Sequence, residues 1–513
     1  MSPRRLRRFI ACVAAISVAV CLTSCGSAAT RSDPDRTLTV LELGSTYGAW
    51  NSLDPVTNQT AGINHDFMNA IYGELFQRTP DGRIAPDLAT RYRASPNRRT
   101  IRISLRPGVR FSDGSPFDAS AVVFNLRRDL AKPAACSCLQ NFSAVSAITA
   151  AGKTTVVMHL THPDPSIIYA FIDAPPNWIV SPTSLRRMGT RAFGLHPVGA
   201  GPFKVVDDVL NSRLTLTKNL SYWQRGRPLL DSLTFLSVND DQTAYDAMLA
   251  GQGQVYMDFG TPTLLAQMRS HFATIPQPAT ETEAVNLNPT SAPFRSLLAR
   301  EAIYYATDPQ SINAHIFGSA GHISQAPGGP GDLFWNPRVA GYRRYDPARA
   351  RQIVKRLGGL SFTLTTLNTP IQLPIVEALQ SQWRQVGINA RLAVLTIPQA
   401  VKATQDGQVQ ALDTQVGSYD PSLLPGIAAS YASTGPFSLV KDPVLDELIA
   451  RAGMQPNQAA ARRLYQGISD YLSRRAYAPY LFTASLWNVV DRSVTGIDPG
   501  TPEVAWQDVA RTR

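Results

Sequence analysis

The chain has 513 residues, 44% of them hydrophobic and 17% charged, with a formal net charge of +11. That balance is ordinary for a packed globular protein and excludes wholesale disorder. The positive excess sits in scattered pairs, Arg98-Arg99, Arg343-Arg344, Arg462-Arg463 and Arg474-Arg475; with no basic stripe interleaved with aromatics, a nucleic-acid partner is not expected.

Arg4, Arg5, Arg7 and Arg8 precede an apolar run from Phe9 to Leu22. The run is too short for a spanning helix of roughly 20 residues, and residues 1–24 read as a signal peptide. Leu22-Thr23-Ser24-Cys25-Gly26 resembles a bacterial lipobox. That resemblance implies that Cys25 is lipidated and becomes the first mature residue; the alternative is an ordinary signal peptide in which Cys25 is incidental. Arg7-Arg8-Phe9-Ile10 leaves the general secretory and twin-arginine routes both open. An anchor of more than one acyl chain holds stably, placing the protein on the extracytoplasmic face of the cell membrane. Residues 25–36 are small and polar and read as a tether. No later run of about 18 apolar residues occurs, so the remainder is expected to be soluble, with length for about three domains of roughly 150 residues. Beyond the leader and anchor, Cys136 and Cys138 remain; they are expected either as a strained disulfide or as two free thiols.

Leu38 to Leu43 reads as the first strand, with Tyr47 and Trp50 on the loop after it. From Tyr72 to Arg128, Asp81-Gly82 and Asp113-Gly114 signal turns, and Ile101, Ile103 and Leu105 alternate with Arg102, Ser104 and Arg106 as a half-buried strand should. Ser120 offers a helix cap before Val122, Val123 and Leu126. Lys153 to Leu160 is a further strand. Gly199 and Gly201 precede Pro202-Phe203 and a strand, so they lack the helix start a phosphate-binding loop requires. Asp346 caps a helix with Pro347 in its first turn and Gly358 beyond its end. A βαβ unit follows: a strand through Phe362, Leu364 and Leu367, a helix lined by Ile375, Val376, Leu379, Trp383 and Val386, a stop at Gly387, and a strand from Ile388 to Leu395. Trp383 continues the apolar stripe and is expected in the core.

Several of these segments carry a resemblance. Pro80-Asp81-Gly82, Ala85-Pro86-Asp87-Leu88-Ala89, Leu105 to Phe111, Ser112-Asp113-Gly114-Ser115-Pro116-Phe117, Gly199-Ala200-Gly201-Pro202-Phe203, Ser221-Tyr222-Trp223, Leu298 to Asp308 and Tyr345-Asp346-Pro347 occur in this order. Together they resemble the peptide/nickel class, family 5, of extracellular solute-binding lipoproteins that serve bacterial ABC importers. The resemblance implies an α/β, two-lobed periplasmic-binding-protein-like fold in three domains, with mixed sheets flanked by helices and a hinge between the lobes. The expected parts are a discontinuous first-lobe core (residues 37–77, 197–285 and 480–513), an additional domain (78–196) and a second lobe (286–479). Hinge strands are expected near Val285 to Asn288 and Ala478 to Thr483. Ligand would lie between the lobes, contacted by Tyr47, Trp50, Gly417, Ser418, Tyr419, Asp420, Phe482 and Trp487. In peptide-binding members the loop equivalent to Gly417-Ser418-Tyr419-Asp420-Pro421 begins with an acid that pairs with the peptide α-amino group; here that position is Gly417, which leaves open whether Asp420 replaces it. The implied partners are an oligopeptide or peptide-like solute, permease and ATPase subunits, and the membrane through the lipid anchor, with the protein itself a monomer. An oligosaccharide or chelated nickel is the alternative ligand.

An extracellular hydrolase is the competing class. Gly-x-Ser-x-Gly, Gly-x-x-x-x-Gly-Lys-Ser/Thr and His-Glu-x-x-His patterns do not occur in the sequence. Gly328-Gly329-Pro330-Gly331 lacks the lysine of a phosphate cradle. His159 and His162, three apart on a strand, face opposite ways. Catalytic residues, a resident metal and a cofactor are therefore not expected, and Asp207-Asp208 and Asp240-Asp241 read as solvated pairs.

Overall fold

A computed structural model describes residues 36–43, 50, 52–58, 65–79, 83–131, 142–164, 167–172, 174–277, 281–329, 334–367, 371–417, 424–455, 458–483, 486–499 and 503–512. The fold is α/β. Its first large sheet has seven strands in the order Ala273–Pro276, Trp487–Val490, Val255–Phe259, Thr37–Leu43, Ser232–Val238, Arg213–Lys218 and Phe203–Val209. Thr37–Leu43 runs parallel to both neighbours, and its apolar residues enter cores on both faces, as parallel strands require. Leu38 and Val40 meet the helix His65–Tyr72 on one side, while Leu41 meets the helices Asp241–Leu249 and Pro262–His271 on the other.

The second sheet has six strands in the order His322–Ile323, Tyr480–Thr483, Glu281–Leu287, Ala411–Gly417, Leu360–Leu367 and Ile388–Leu395. Leu360–Leu367 and Ile388–Leu395 pair in parallel, joined by the helix Gln372–Arg384, as the βαβ reading requires. Trp383 is buried on that helix and donates its indole N–H to Thr307 Oγ1 at 3.0 Å. A smaller antiparallel sheet, Ala89–Ala94, Thr100–Leu105, Thr155–Leu160 and Val145–Ala150, carries its own core on the first lobe. Ile101, Ile103 and Leu105 face inward there while Arg102 is exposed.

Local chemistry explains one departure from the sequence reading and the role of one glycine pair. The helix Ala119–Leu130 is capped by Asp118, not Ser120: the Asp118 carboxylate accepts from the N–H groups of both Ser120 and Ala121, and Ser120 already belongs to the helix. Gly199 and Gly201 serve close packing. A Cβ on Gly199 would lie 2.3 Å from the Ile71 carbonyl oxygen, and one on Gly201 2.6 Å from that of Ala70. The backbone can therefore approach the end of the helix His65–Tyr72, where Ala200 N donates to Tyr72 O and Gly201 N to Ile71 O.

The chain crosses between the two large sheets twice, and the residues flanking the two crossings lie side by side. It leaves Ala273–Pro276 for Glu281–Leu287 and returns from Tyr480–Thr483 to Trp487–Val490. Both pairs flanking the passages are antiparallel, and Gln277 N donates to Leu486 O at 2.9 Å. The passages are displaced from Val285–Asn288 and Ala478–Thr483 because those stretches lie in, or border, hydrogen-bonded strands of the six-stranded sheet. Among the described residues no helix is long and apolar enough to cross a membrane.

Candidate functional site

A row of acids, Glu42, Asp66, Glu283 and Asp413 buried and Asp258 and Glu281 partly buried, runs beside the two passages. Glu42 is the penultimate residue of its strand and shares a face with Leu38 and Val40, so it points toward the start of the helix His65–Tyr72. At that start His65 and Asp66 are both buried, with His65 Nε2 3.6 Å from Asp66 Oδ2; an acid in the first turn also suits the helix dipole. Asp258 sits where the pairing of Val255–Phe259 shifts register, with a left-handed φ of 57°. Its Oδ1 accepts from Gln277 Nε2 at 2.8 Å, and the same amide donates to Asn488 Oδ1 at 2.6 Å. Gln277 thus ties Asp258 to both passages.

Across the passages the row continues on one face of the six-stranded sheet. Glu281 lies opposite Gly417, Glu283 opposite Gln415 and Val285 opposite Asp413, so these residues share a side. Glu283 Oε1 accepts from Gln415 Nε2 at 2.7 Å, and Asp413 Oδ2 accepts from Thr366 Oγ1 at 3.0 Å. Glu283 Oε2, Asp413 Oδ1 and Asp66 Oδ1 are buried without a partner among the described residues.

Electrostatics follow from this burial. Burial raises Glu42 well above the ordinary carboxylate range, with Asp66 and Asp258 adding to the effect and His65 opposing it. Asp66 is lifted to about 7 by burial, against the pull of His65 and of a backbone hydrogen bond at Val504. Burial also raises Asp258, and burial together with Asp258 lifts Glu281 to about 7. Glu283 and Asp413 are both raised, chiefly by burial, while the Gln415 and Thr366 hydrogen bonds oppose the rise. Among the described residues no Lys or Arg is among the charges acting on these six acids. Folding therefore favours the protonated form of each of these acids relative to an exposed carboxyl.

A cavity of about 200 Å³ lies within the first lobe. It is lined in part by Asn69, Glu74, Arg78, Asp87, Glu503 and Trp506, and none of its lining residues belongs to the six-stranded sheet. Its strongest cation is already matched, Arg78 standing 3.5 Å from Glu503.

The sequence-predicted contacts fall in several places. Trp50, expected to face ligand, is 2% exposed; it packs edge-on against Phe67 and donates its indole N–H to Asp208 Oδ1 at 3.0 Å. Asp208 is consequently not the solvated acid the sequence suggested, and burial raises its pKa. Phe482 is buried against Phe317, and Trp487 against Phe259. Gly417 ends its strand, and Gly426 must lack a side chain there because a Cβ would meet the Gly417 carbonyl oxygen at 1.7 Å. Tyr47, Ser418, Tyr419, Asp420, Cys25, Cys136 and Cys138 lie outside the described residues. Among the described residues no three His, Cys, Asp or Glu side chains are grouped to hold a metal ion.

Two sheets joined by a double passage, with an enclosed polar row beside it, define a two-lobed solute-binding protein. Residues 83–438 match the bacterial extracellular solute-binding proteins, family 5, and the chain belongs to that family, whose members are the substrate-binding proteins of ABC importers. It is 27% identical over 476 residues to the glutathione-binding protein GsiB of Salmonella paratyphi A, covering 89% of this chain and 91% of that one. Among solved structures it resembles the periplasmic binding protein DppA of Helicobacter pylori in complex with the peptide STSA, with a TM-score of 0.80, 21% identity, and 93% and 98% of the two chains covered. It also resembles MoaA of A. tumefaciens R10 in complex with mannopinic acid, with a TM-score of 0.81, 19% identity, and 93% and 100% covered.

Proposed function

We propose that this protein is a lipid-anchored, monomeric receptor that captures peptide-like solutes between its lobes and hands them to a membrane permease, with no covalent step. The observation that supports this most is the double passage between sheets. Two adjacent connectors let the lobes rotate toward one another while the buried polar row beside them stays assembled. Likeness to a glutathione-binding protein over nearly the whole chain favours a peptide-like solute. In this reading the lobes divide at residues 277–280 and 484–486, Tyr47 and residues 417–420 border the opening, and Cys25 carries the acyl chains.

The test is thermal unfolding and calorimetry of the mature protein with glutathione, tri-alanine and maltotriose. A saturable rise in Tm with glutathione or tri-alanine, following RT ln(1 + [L]/Kd), supports the reading. A rise with maltotriose alone overturns it, and cleavage of tri-alanine by the purified protein overturns the absence of a covalent step. Cys25→Ser should release the protein from the membrane fraction and abolish incorporation of a palmitate analogue.

A further inference from the structure

We propose that the cavity inside the first lobe is a second binding site, separate from the opening between the lobes, for a small neutral polyol such as glycerol or erythritol. None of the residues that line it belongs to the six-stranded sheet, so the site is complete within one lobe. It lies between the end of the helix His65–Tyr72, the residues Gln77 to Thr79 and the segment from Glu503 to Gln507. Gly496, Asp498 and Ala505, which also line it, are exposed and give it a mouth to solvent.

Two buried N–H groups carry the proposal. Trp506 is 1% exposed, and its indole N–H, which can only donate, has no hydrogen-bond partner among the described residues. The ring stands edge-on against Phe235, which lies outside the cavity lining. Asn69 is 7% exposed, and its Oδ1 accepts from the Trp178 indole N–H at 2.6 Å. Trp178 also lies outside the lining. The two ends of a planar amide diverge, so Asn69 Nδ2 is turned away from Trp178, and it too has no partner among the described residues. Buried donors are ordinarily met by protein, water or ligand. Both residues line the cavity, so the acceptor they require is an occupant of it.

That occupant is neutral. Glu74, Asp87, Asp498 and Glu503 line the cavity against the single guanidinium of Arg78, which stands 3.5 Å from Glu503, so an anion would be repelled. Two inward N–H donors equally oppose a cation. Hydroxyl groups suit both kinds of neighbour, since each accepts from an indole or amide N–H and donates to a carboxylate. Size sets the upper limit. A cavity of about 150 Å³ accommodates benzene, with six heavy atoms. About 200 Å³ therefore admits glycerol or erythritol, whereas a hexose, with about twice the heavy atoms of benzene, is too large.

The experiment follows the tryptophan indole N–H signals of the mature protein by nuclear magnetic resonance during titration with glycerol, erythritol, glucose, acetate and putrescine. Trp506→Phe identifies the Trp506 signal by its loss. Erythritol should move that signal saturably, with a Kd on the order of 1 mM, and leave the other indoles in place. Saturation transfer to erythritol should show binding about tenfold weaker in Trp506→Phe, which keeps an aromatic ring and removes the donor. If that variant fails to fold, the wild-type signal still decides. An unmoved Trp506 signal, its donor met by ordered water only, would overturn the site; so would a shift shared by every indole, as a co-solvent gives, or undiminished binding to a folded Trp506→Phe. Tighter binding of acetate, putrescine or glucose would overturn the assignment to a small neutral polyol. Erythritol should bind equally with tri-alanine present, and mutual exclusion would overturn the separation of this site from the opening between the lobes.

Discussion

Replacing Asp66 by Asn should stabilise the empty protein, and the gain should grow with pH. Asp66 is 4% exposed and its carboxyl is lifted from 3.8 to about 7 in the folded state. A raised folded-state pKa means that folding favours the protonated acid; the resulting stability is whole below the unfolded value and is lost as pH rises through the folded one. Taking roughly 1.4 kcal/mol for each pKa unit, the penalty is about 0.5 kcal/mol at pH 4, about 2 kcal/mol at pH 5.5 and about 4 kcal/mol at pH 8.5. Asn cannot ionise and keeps an acceptor for the hydrogen bond at Val504, so Asp66→Asn removes the pH-dependent part. Differential scanning fluorimetry from pH 4 to 8.5 should show the two proteins melting nearly together at pH 4 and separating progressively from about pH 5 upward. At roughly 2–4 °C per kcal/mol for a domain of this size, the variant should lead by about 8 °C or more at pH 8.5. A constant offset at every pH, or a variant less stable in alkali, would refute the assignment of burial as the dominant influence on Asp66.

Gly199→Ala should cost about 3 kcal/mol or more and reduce soluble yield, because the new Cβ meets backbone atoms of Ile71 and Tyr72; a Tm within 2 °C of wild type would contradict the close-packing account. Arg300 is buried and donates to the carbonyl oxygens of Phe294 and Arg475, so Arg300→Met should cost about 2–4 kcal/mol in urea unfolding while leaving first-lobe fluorescence unchanged. Trp50→Phe removes the hydrogen bond to Asp208 but keeps the aromatic packing. It should cost about 1 kcal/mol and leave tri-alanine affinity within about two-fold; a tenfold loss would return Trp50 to the ligand.

The scaffold was legible because it is written in local patterns. Turn pairs, the alternation at Ile101, Ile103 and Leu105, and the strand, helix and strand around Trp383 each need only neighbouring residues. The acid row was not legible, because Glu42 and Asp413 stand 371 positions apart and an acid in sequence reads as a solvated one. A signal was nevertheless present. Val40-Leu41-Glu42-Leu43 and Ala411-Leu412-Asp413 set a single carboxyl inside an apolar strand, and Glu281-Thr282-Glu283 puts two on one face of another. Charges in such places cannot all reach water. Trp50 misled for the converse reason: an aromatic on a loop looks available to ligand, and only tertiary structure shows Phe67 and Asp208 already there.

The contact between Gly417 and Gly426 bears on how such a receptor could acquire new tastes. Gly417 and Gly426 flank residues 418–425 and meet where no side chain could intervene. One is the last residue of a buried strand and the other lies in the first turn of the helix Leu424–Tyr431. Connections between fixed ends tolerate changes of length and sequence. The contact therefore marks a natural cassette boundary. Grafting alternative sequences between Gly417 and Leu424, with binding measured for each, would test whether this segment sets specificity.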